Sequence, residues 1–144
     1  MARVSTYLNF SRSTEQAFLF YKSVFNTEFS APLSRFSDVP SHPDHPLNDA
    51  DKNLVMHVEL PILGGHTLMG TDAPESMGFT ITPGNNMFIN LEPDTRAETE
   101  RLFKALAEHG NIQMALQDMF WGGYFGSLVD QFGIRWMFNC VSKH

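Results

Sequence analysis

Tyr7-Leu8-Asn9-Phe10 and Phe88-Ile89-Asn90-Leu91 decide the fold of this 144-residue chain, because each opens a copy of the same pattern. In each copy an amphipathic stretch follows, and a glycine with a short apolar strand closes the copy. These closing strands are Gly65-His66-Thr67-Leu68-Met69-Gly70 and Gly133-Ile134-Arg135-Trp136-Met137-Phe138. Two copies are too few for a repeat array, so the sequence predicts two similar modules that pair around a shared cleft.

Both copies are predicted to have the element order β-α-β-β-β, from the spacing of their apolar residues. The first copy is predicted to contain a strand at residues 4–10, a helix at 14–25 and strands at 28–36, 54–60 and 66–71. The second is predicted to contain a strand at 87–91, a helix at 95–109 and strands at 112–119, 123–129 and 134–141. Ser13 and Gln16 form a predicted capping box at the first helix. Asp94 and Gly110 are predicted to cap the second.

Length and turn residues indicate a single domain, residues 1–144, made of two pseudo-symmetric modules. Module 1 is predicted at residues 1–72 and module 2 at 87–144, with a linker at 73–86 that contains prolines and glycines. The first copy is longer because of residues 37–53, which are predicted to form a flexible loop. Within it, His42-Pro43-Asp44-His45-Pro46 resembles a metal-binding patch, but a proline after each histidine favours a loop instead.

Composition excludes several classes of function. The net charge is −6, whereas a nucleic-acid binder needs a basic surface, so no nucleic-acid partner is expected. No apolar run is long enough to span a membrane, and the first residues lack a signal-peptide core. The single cysteine, Cys140, is expected to be a small buried apolar residue in a reducing compartment, which predicts a cytoplasmic protein.

Five segments together resemble one known family. They are Tyr7-Leu8-Asn9-Phe10, residues 17–25, Leu68-Met69-Gly70-Thr71-Asp72, Phe120-Trp121-Gly122 and residues 130–139. The chain resembles the PhnB-like family of the vicinal oxygen chelate superfamily, which holds glyoxalase I, the bleomycin- and fosfomycin-resistance proteins and the extradiol dioxygenases. The resemblance implies an α+β fold in which two tandem βαβββ modules form a curved mixed sheet with a central cleft and helices on the outer face. It also implies a homodimer.

In the superfamily's metal enzymes, the first and last strands of each module supply the metal ligands. The resemblance places these positions on Met69 and Met137, on or beside Phe88, and among Ser5, Thr6 and Tyr7. None is a His, Asp or Glu, and a thioether is a poor ligand for hard divalent ions. We therefore expect no metal and no other cofactor, with methionine and phenylalanine as the apolar lining of the cleft.

Strand alternation predicts which side chains join Met69 and Met137 in the cleft. Trp121, Tyr124 and Phe125 are predicted to form a planar wall at its mouth, whereas Trp136 should lie in the core on the helix side. The predicted ligand-binding residues are Met69, Phe88, Asn90, Trp121, Phe125, Arg135, Met137 and Asn139. An apolar surface with a few polar groups is typical of a small-molecule pocket.

His57 and Glu59, two apart on one predicted strand, are the candidate catalytic residues. A carboxylate beside an imidazole can fix its tautomer and raise its basicity. The other interpretation is a hydrogen-bonded histidine in a partly polar strand, without a catalytic role.

Three functions remain open. The first is metal-free binding of a small, partly apolar molecule, and the second is a metal-independent enzyme of glyoxalase, isomerase or lyase type that uses His57 and Glu59. The third is a divalent-metal enzyme whose ligands lie elsewhere through a strand slip. The label of demethylubiquinone methyltransferase that members of the family carry has no support, because a Rossmann-type methyltransferase needs a Gly-rich turn and the sequence contains no G-x-G.

Overall fold

The computed structural model describes residues 1–40 and 47–144 of the chain. The histidine-proline motif at residues 42–46 therefore lies outside the described residues. The chain divides into two compact units, Met1–Thr82 and Pro83–His144. Each unit has the element order β-α-β-β-β, which confirms the repeat that the sequence predicts.

The helices and strands of the two units correspond one to one. The first unit contains β1 (Thr6–Phe10), α1 (Thr14–Phe25), β2 (Ser34–Arg35), β3 (Val55–Pro61) and β4 (Thr67–Asp72). The second unit contains β5 (Ile89–Leu91), α2 (Arg96–Ala107), β6 (Asn111–Asp118), β7 (Tyr124–Val129) and β8 (Arg135–Cys140). The bounds of α1 are those predicted, since its apolar spacing is regular from end to end.

Each unit forms one four-stranded mixed sheet. The strand order is β1-β4-β3-β2 in the first unit and β5-β8-β7-β6 in the second. The first and last strands of each unit pair in parallel, β1 with β4 and β5 with β8. The remaining neighbours are antiparallel. The α+β class with two tandem βαβββ modules is therefore confirmed.

The predicted strand at residues 28–36 is wrong in extent, because only Ser34–Arg35 pairs as a strand. Upstream, the backbone N–H of Ser30 still donates to the carbonyl of Glu59 at 3.2 Å. Pro32 lies between the two and has no N–H to donate, so the ladder is interrupted there. Apolar content alone did not reveal this interruption.

The predicted capping box at Ser13 is also wrong. Ser13 precedes α1 but makes no side-chain capping bond. The carboxylate of Asp72, at the end of β4, accepts the Thr14 N–H at 3.1 Å and the Val55 N–H at 2.8 Å. Asp72 is 3% exposed, so these bonds lie out of water. One buried carboxylate thus joins the start of α1 to the start of β3.

The second helix begins and ends inside its predicted bounds. Thr95 rather than Asp94 is its N-cap, and the Thr95 hydroxyl accepts the backbone N–H of Glu98 at 3.1 Å. Glu108 rather than Gly110 is the C-cap. A threonine oxygen caps a helix as an aspartate does, and Thr95 directly follows the predicted Asp94.

Each helix packs on one face of its own sheet. In α1 the buried residues include Phe18, which lies against Gly70 of β4 so closely that any Cβ at Gly70 would overlap the phenyl ring. In the second unit Trp136 is fully buried, as predicted, and its indole N–H donates to Asp130 at 2.9 Å. Cys140 is a buried free cysteine. Within the described ranges no helix has the length and apolar character to span a bilayer.

Asp72→Asn is expected to lower the free energy of unfolding by about 1.5–3 kcal/mol, the usual worth of a hydrogen bond to a charged group. An amide can accept at only one of the two positions, so the N–H of Thr14 or of Val55 loses its partner. Urea unfolding at neutral pH measures the change. The control is Asp49→Asn, because Asp49 is an exposed carboxylate paired with Lys52. Equal losses in the two variants would contradict the role assigned to Asp72.

Candidate functional site

The face of the first sheet opposite α1 carries partly exposed side chains. Along β4, Leu68, Gly70 and Asp72 are buried on the helix side, whereas Thr67, Met69 and Thr71 alternate with them and are partly exposed. In register across the sheet, Met69 lies between Tyr7 of β1 and Glu59 of β3. Side chains in register share a face of the sheet. Tyr7, Met69 and Glu59 thus form one row on this face.

A chain of three polar side chains crosses this face. The hydroxyl of Tyr7 lies 3.1 Å from Nδ1 of His57, and Nε2 of His57 lies 3.1 Å from Oε1 of Glu59. The other carboxylate oxygen of Glu59 accepts the hydroxyl of Ser30 at 3.3 Å. In the neutral imidazole, Nδ1 accepts the tyrosine proton and Nε2–H donates to the carboxylate. We call Tyr7, His57 and Glu59 the relay.

The pKa values of the two outer groups of the relay are shifted in opposite directions. The hydrogen bond from His57 lowers the pKa of Glu59 below its usual value, and Ser30 adds to the effect. Burial raises the pKa of Tyr7, and the negative charge of Glu59 raises it further. At neutral pH the relay therefore holds a carboxylate at one end and a protonated phenol at the other.

The structure thus places His57 and Glu59 in hydrogen-bond contact, as expected, and their catalytic role stays a prediction. Sequence reasoning missed Tyr7 as part of the relay. The signal was present, since Tyr7 alternates with the buried Leu8 along β1. Ser30 had no usable signal, because it lies in the segment wrongly predicted as a strand.

The face of the second sheet opposite α2 follows the same alternation. Arg135, Met137 and Asn139 of β8 are partly exposed, and the residues between them are buried. Met137 pairs in register with Asn90 of β5 and Ser127 of β7. Asn139 pairs with Phe125.

Three aromatic rings meet at one end of this face. The Trp121 ring packs edge-to-face against Phe120 and Phe125, with centroid separations of 5.1 and 5.8 Å. The indole N–H of Trp121 donates to Oδ1 of Asn139 at 3.5 Å. A Cβ at Gly123 would overlap both Trp121 and Asn139, so only glycine permits this approach. We call Phe120, Trp121 and Phe125 the aromatic cluster.

Tyr124, which was predicted to join the wall with Trp121 and Phe125, lies on the opposite face. Its hydroxyl donates to Oε1 of Glu100 on α2 at 3.0 Å, and the guanidinium of Arg96 lies 4.4 Å above its ring. Adjacent residues of a strand point to opposite faces, so Tyr124 and Phe125 cannot form one wall. This part of the prediction is wrong.

Arg135 and Asn90, two other predicted site residues of the second unit, bond to groups outside the aromatic cluster. Nε of Arg135 donates to the carbonyl of Gly84 at 3.0 Å, so this side chain is bound to the backbone before β5. The amide of Asn90 donates to Glu92 at 3.1 Å. Phe88 is half-buried just before β5. Trp121 of the predicted set contacts both Phe125 and Asn139.

The resemblance predicts which positions would hold metal ligands, and the side chains at these positions do not fit a divalent metal ion. Met69 and Met137 offer thioethers, Phe88 offers no donor, and Tyr7 bonds to His57. Within residues 1–40 and 47–144, no three His, Cys, Asp or Glu side chains are grouped to hold a metal ion.

Sequence comparison matches residues 2–138 to a family described as 3-demethylubiquinone-9 3-methyltransferase. The solved structure of PA1353 from Pseudomonas aeruginosa is 34% identical, with a TM-score of 0.82, and the match covers 97% of this chain and 98% of that chain. The PhnB protein from Bacillus cereus is 28% identical, with a TM-score of 0.73 over 96% and 99% of the two chains.

A glyoxalase/bleomycin resistance protein/dioxygenase family enzyme from Burkholderia phytofirmans PsJN has the same fold. Its TM-score is 0.62 at 18% identity, and the match covers 95% of this chain and 98% of that chain.

Replacing His57 with phenylalanine is expected to raise the pKa of Glu59, because the hydrogen bond from His57 is the main cause of its lowered value. In the wild type, the carboxylate keeps this bond until the pH falls through the lowered pKa, where protonation removes it. Carbon-13 NMR of the Glu59 carboxyl group measures both values. Tyr7→Phe is the control, since it removes a hydroxyl that does not touch Glu59. A larger shift in the control would contradict the assignment.

Proposed function

Because this chain belongs to the PhnB-like family of the glyoxalase/bleomycin resistance/dioxygenase superfamily, we propose that it binds a small, planar, partly apolar molecule without a metal ion. The aromatic cluster carries this proposal. Trp121 is 51% exposed although its edge is fixed by Asn139 and Phe125. A large apolar ring held in place while open to solvent is a surface suited to stacking.

The chemistry of the cluster indicates the class of ligand. Phe120 and Phe125 stand nearly perpendicular to the indole of Trp121, at interplanar angles of 83° and 76°. A flat ring can stack on the open indole face while its edge meets Phe120, which is almost fully exposed. Nearby Asn139 supplies a polar group that can select the orientation of the bound ring. Aromatic carboxylates and related planar molecules fit this description.

Binding of 2-naphthoate is expected to shift the NMR signal of the Trp121 indole N–H and leave that of the buried Trp136 unchanged. Trp121→Ala should weaken binding about tenfold, because an aromatic contact contributes roughly 0.5–1.5 kcal/mol beyond the buried area. Ligand-dependent thermal stabilisation measures the loss.

The matched control is Phe79→Ala, which removes an aromatic ring of nearly equal exposure from the first unit. It should leave binding intact. Full binding by Trp121→Ala, or a shift of the Trp136 signal alone, would show that the ligand binds elsewhere.

The second candidate function is metal-independent proton-transfer catalysis, of the isomerase or lyase type. The observation that favours it is the contact between His57 and Glu59, in which a carboxylate fixes the imidazole tautomer. The methyltransferase activity in the family's description is not part of this proposal. A methyltransferase cofactor site of the Rossmann type needs a glycine-rich turn that the sequence lacks.

We also propose that the chain forms a homodimer in the cytoplasm. The observation that supports self-association is β6, an eight-residue edge strand exposed on most of its length. Ile112 and Met114 expose large apolar side chains there, and residues 111–117 carry no charge to prevent pairing. The reducing compartment rests on Cys140, which is buried and free.

Sedimentation velocity at micromolar concentration is expected to show a dimer, and Met114→Lys should convert it to a monomer because a charged edge resists strand pairing. Met87→Lys is the matched control, since Met87 is an exposed methionine outside the strands. A wild-type protein that sediments as a monomer would refute the dimer.

A further inference from the structure

Tyr7 stands at the accessible end of the relay. It is 48% exposed, whereas the His57 and Glu59 side chains retain only 36% and 26% of their accessible surface. Because the Tyr7 proton points to His57 in the neutral imidazole, the hydroxyl oxygen keeps a lone pair for another donor. A molecule that approaches this face would therefore meet an acceptor on Tyr7 that is backed by an imidazole and a carboxylate.

We propose that Tyr7 is the residue of the relay that touches the ligand, and that it takes a proton from a weakly acidic hydroxyl, of the phenol or enol class. This inference rests on the second candidate function and names its contact residue and substrate class. It is independent of binding at the aromatic cluster.

The proton inventory of this step is balanced. The O–H bond of the ligand breaks and a new O–H bond forms on Tyr7, while the original Tyr7 proton moves to Nδ1 of His57. The imidazole becomes an imidazolium that donates to Tyr7 through Nδ1 and to Glu59 through Nε2. The ligand remains as an oxyanion that accepts a hydrogen bond from Tyr7. No group is oxidised or reduced, and no further reactant is needed.

The charges on the relay suit this direction of transfer. Glu59 stays ionised because its pKa is lowered, so it stabilises the imidazolium that forms beside it. Burial keeps Tyr7 protonated, so the tyrosine passes a proton on and does not hold a negative charge itself. The positive charge of Arg3 also lowers the pKa of Glu59. Nε2 of His66, a further imidazole, lies 2.9 Å from the hydroxyl oxygen of Thr6.

The acidity of imidazole limits the ligand class. A proton moves readily only between groups of similar acidity, and imidazole is a weak base. Ordinary alcohols are far too weak as acids for this exchange. Phenols with electron-withdrawing groups and enols of dicarbonyl compounds lie close enough. The thioether of Met69, in register between Tyr7 and Glu59, offers an apolar contact for the rest of such a molecule.

The test uses 4-nitrophenol, whose phenolate absorbs visible light and whose phenol does not. At a pH equal to the pKa of the free probe, the wild-type protein should raise the phenolate fraction of the bound probe from one half to about nine tenths, which is a rise of about tenfold in its ionisation constant. Tyr7→Phe and His57→Phe should abolish the rise. Glu59→Gln should reduce it, because the imidazolium loses its carboxylate. The methyl ether, 4-nitroanisole, should show no spectral change.

Two variants serve as matched controls. Tyr124→Phe removes a tyrosine hydroxyl bonded to a carboxylate without an imidazole, and His66→Phe removes an imidazole bonded to a hydroxyl without a carboxylate. Both should ionise the probe as the wild type does. Thermal unfolding of each variant shows whether it is folded. If one of the phenylalanine variants is unfolded, the reduced effect expected of Glu59→Gln still tests the inference.

A rise in probe ionisation as large with Tyr7→Phe as with the wild type overturns the inference, and so does the absence of any rise with the wild type at millimolar probe. Failure of the wider second function is a different result. In that case the wild type ionises the probe through Tyr7 but turns over no phenol or enol substrate. Trp121→Ala should leave the probe's ionisation intact, which separates this site from the aromatic cluster.

Discussion

The buried carboxylate of Asp72 is the interaction on which the first unit depends. Its two oxygens accept the first N–H of α1 and the first N–H of β3, while its own backbone pairs in register with Phe10 of β1. Four elements are thereby tied at one point. With the ends of β3 and β4 fixed, strand alternation places His57, Glu59 and Met69 together on the face away from α1. The relay is therefore a consequence of where the sheet is anchored.

The two units share a strand topology, but the buried carboxylate that bonds to the backbone lies at a different position in each. Counting along the last strands, Cys140 occupies in β8 the position of Asp72 in β4. The second unit uses Asp130 instead, which accepts the N–H groups of Phe132 and Ile134 and the indole of Trp136. Thr95 caps its helix locally. The same backbone plan thus carries a polar relay in one unit and an aromatic cluster in the other.

Local patterns in the sequence predicted local structure well. The span of α1 and the faces of β4 and β8 follow from apolar spacing that does not depend on distant residues. The cap of α1 could not be predicted in this way, because its partner is Asp72, 58 residues away. The relay was half-predicted for a similar reason: His57 and Glu59 are two apart, whereas Tyr7 joins them only through pairing of β1 with β4. Tyr124 was assigned to the wrong face of the sheet, because its closeness to Trp121 in the sequence was given more weight than strand alternation.

Gly123 makes the geometry of the aromatic cluster depend on an absent side chain. The indole of Trp121 and the amide of Asn139 approach each other over a backbone position that has no room for one methyl group. Related proteins could therefore bind different ligands even if all three residues of the aromatic cluster are the same. A change to alanine at this glycine would part the two groups and leave the core beneath them in place. Residues that contact a ligand are in this sense an incomplete guide to what determines its identity.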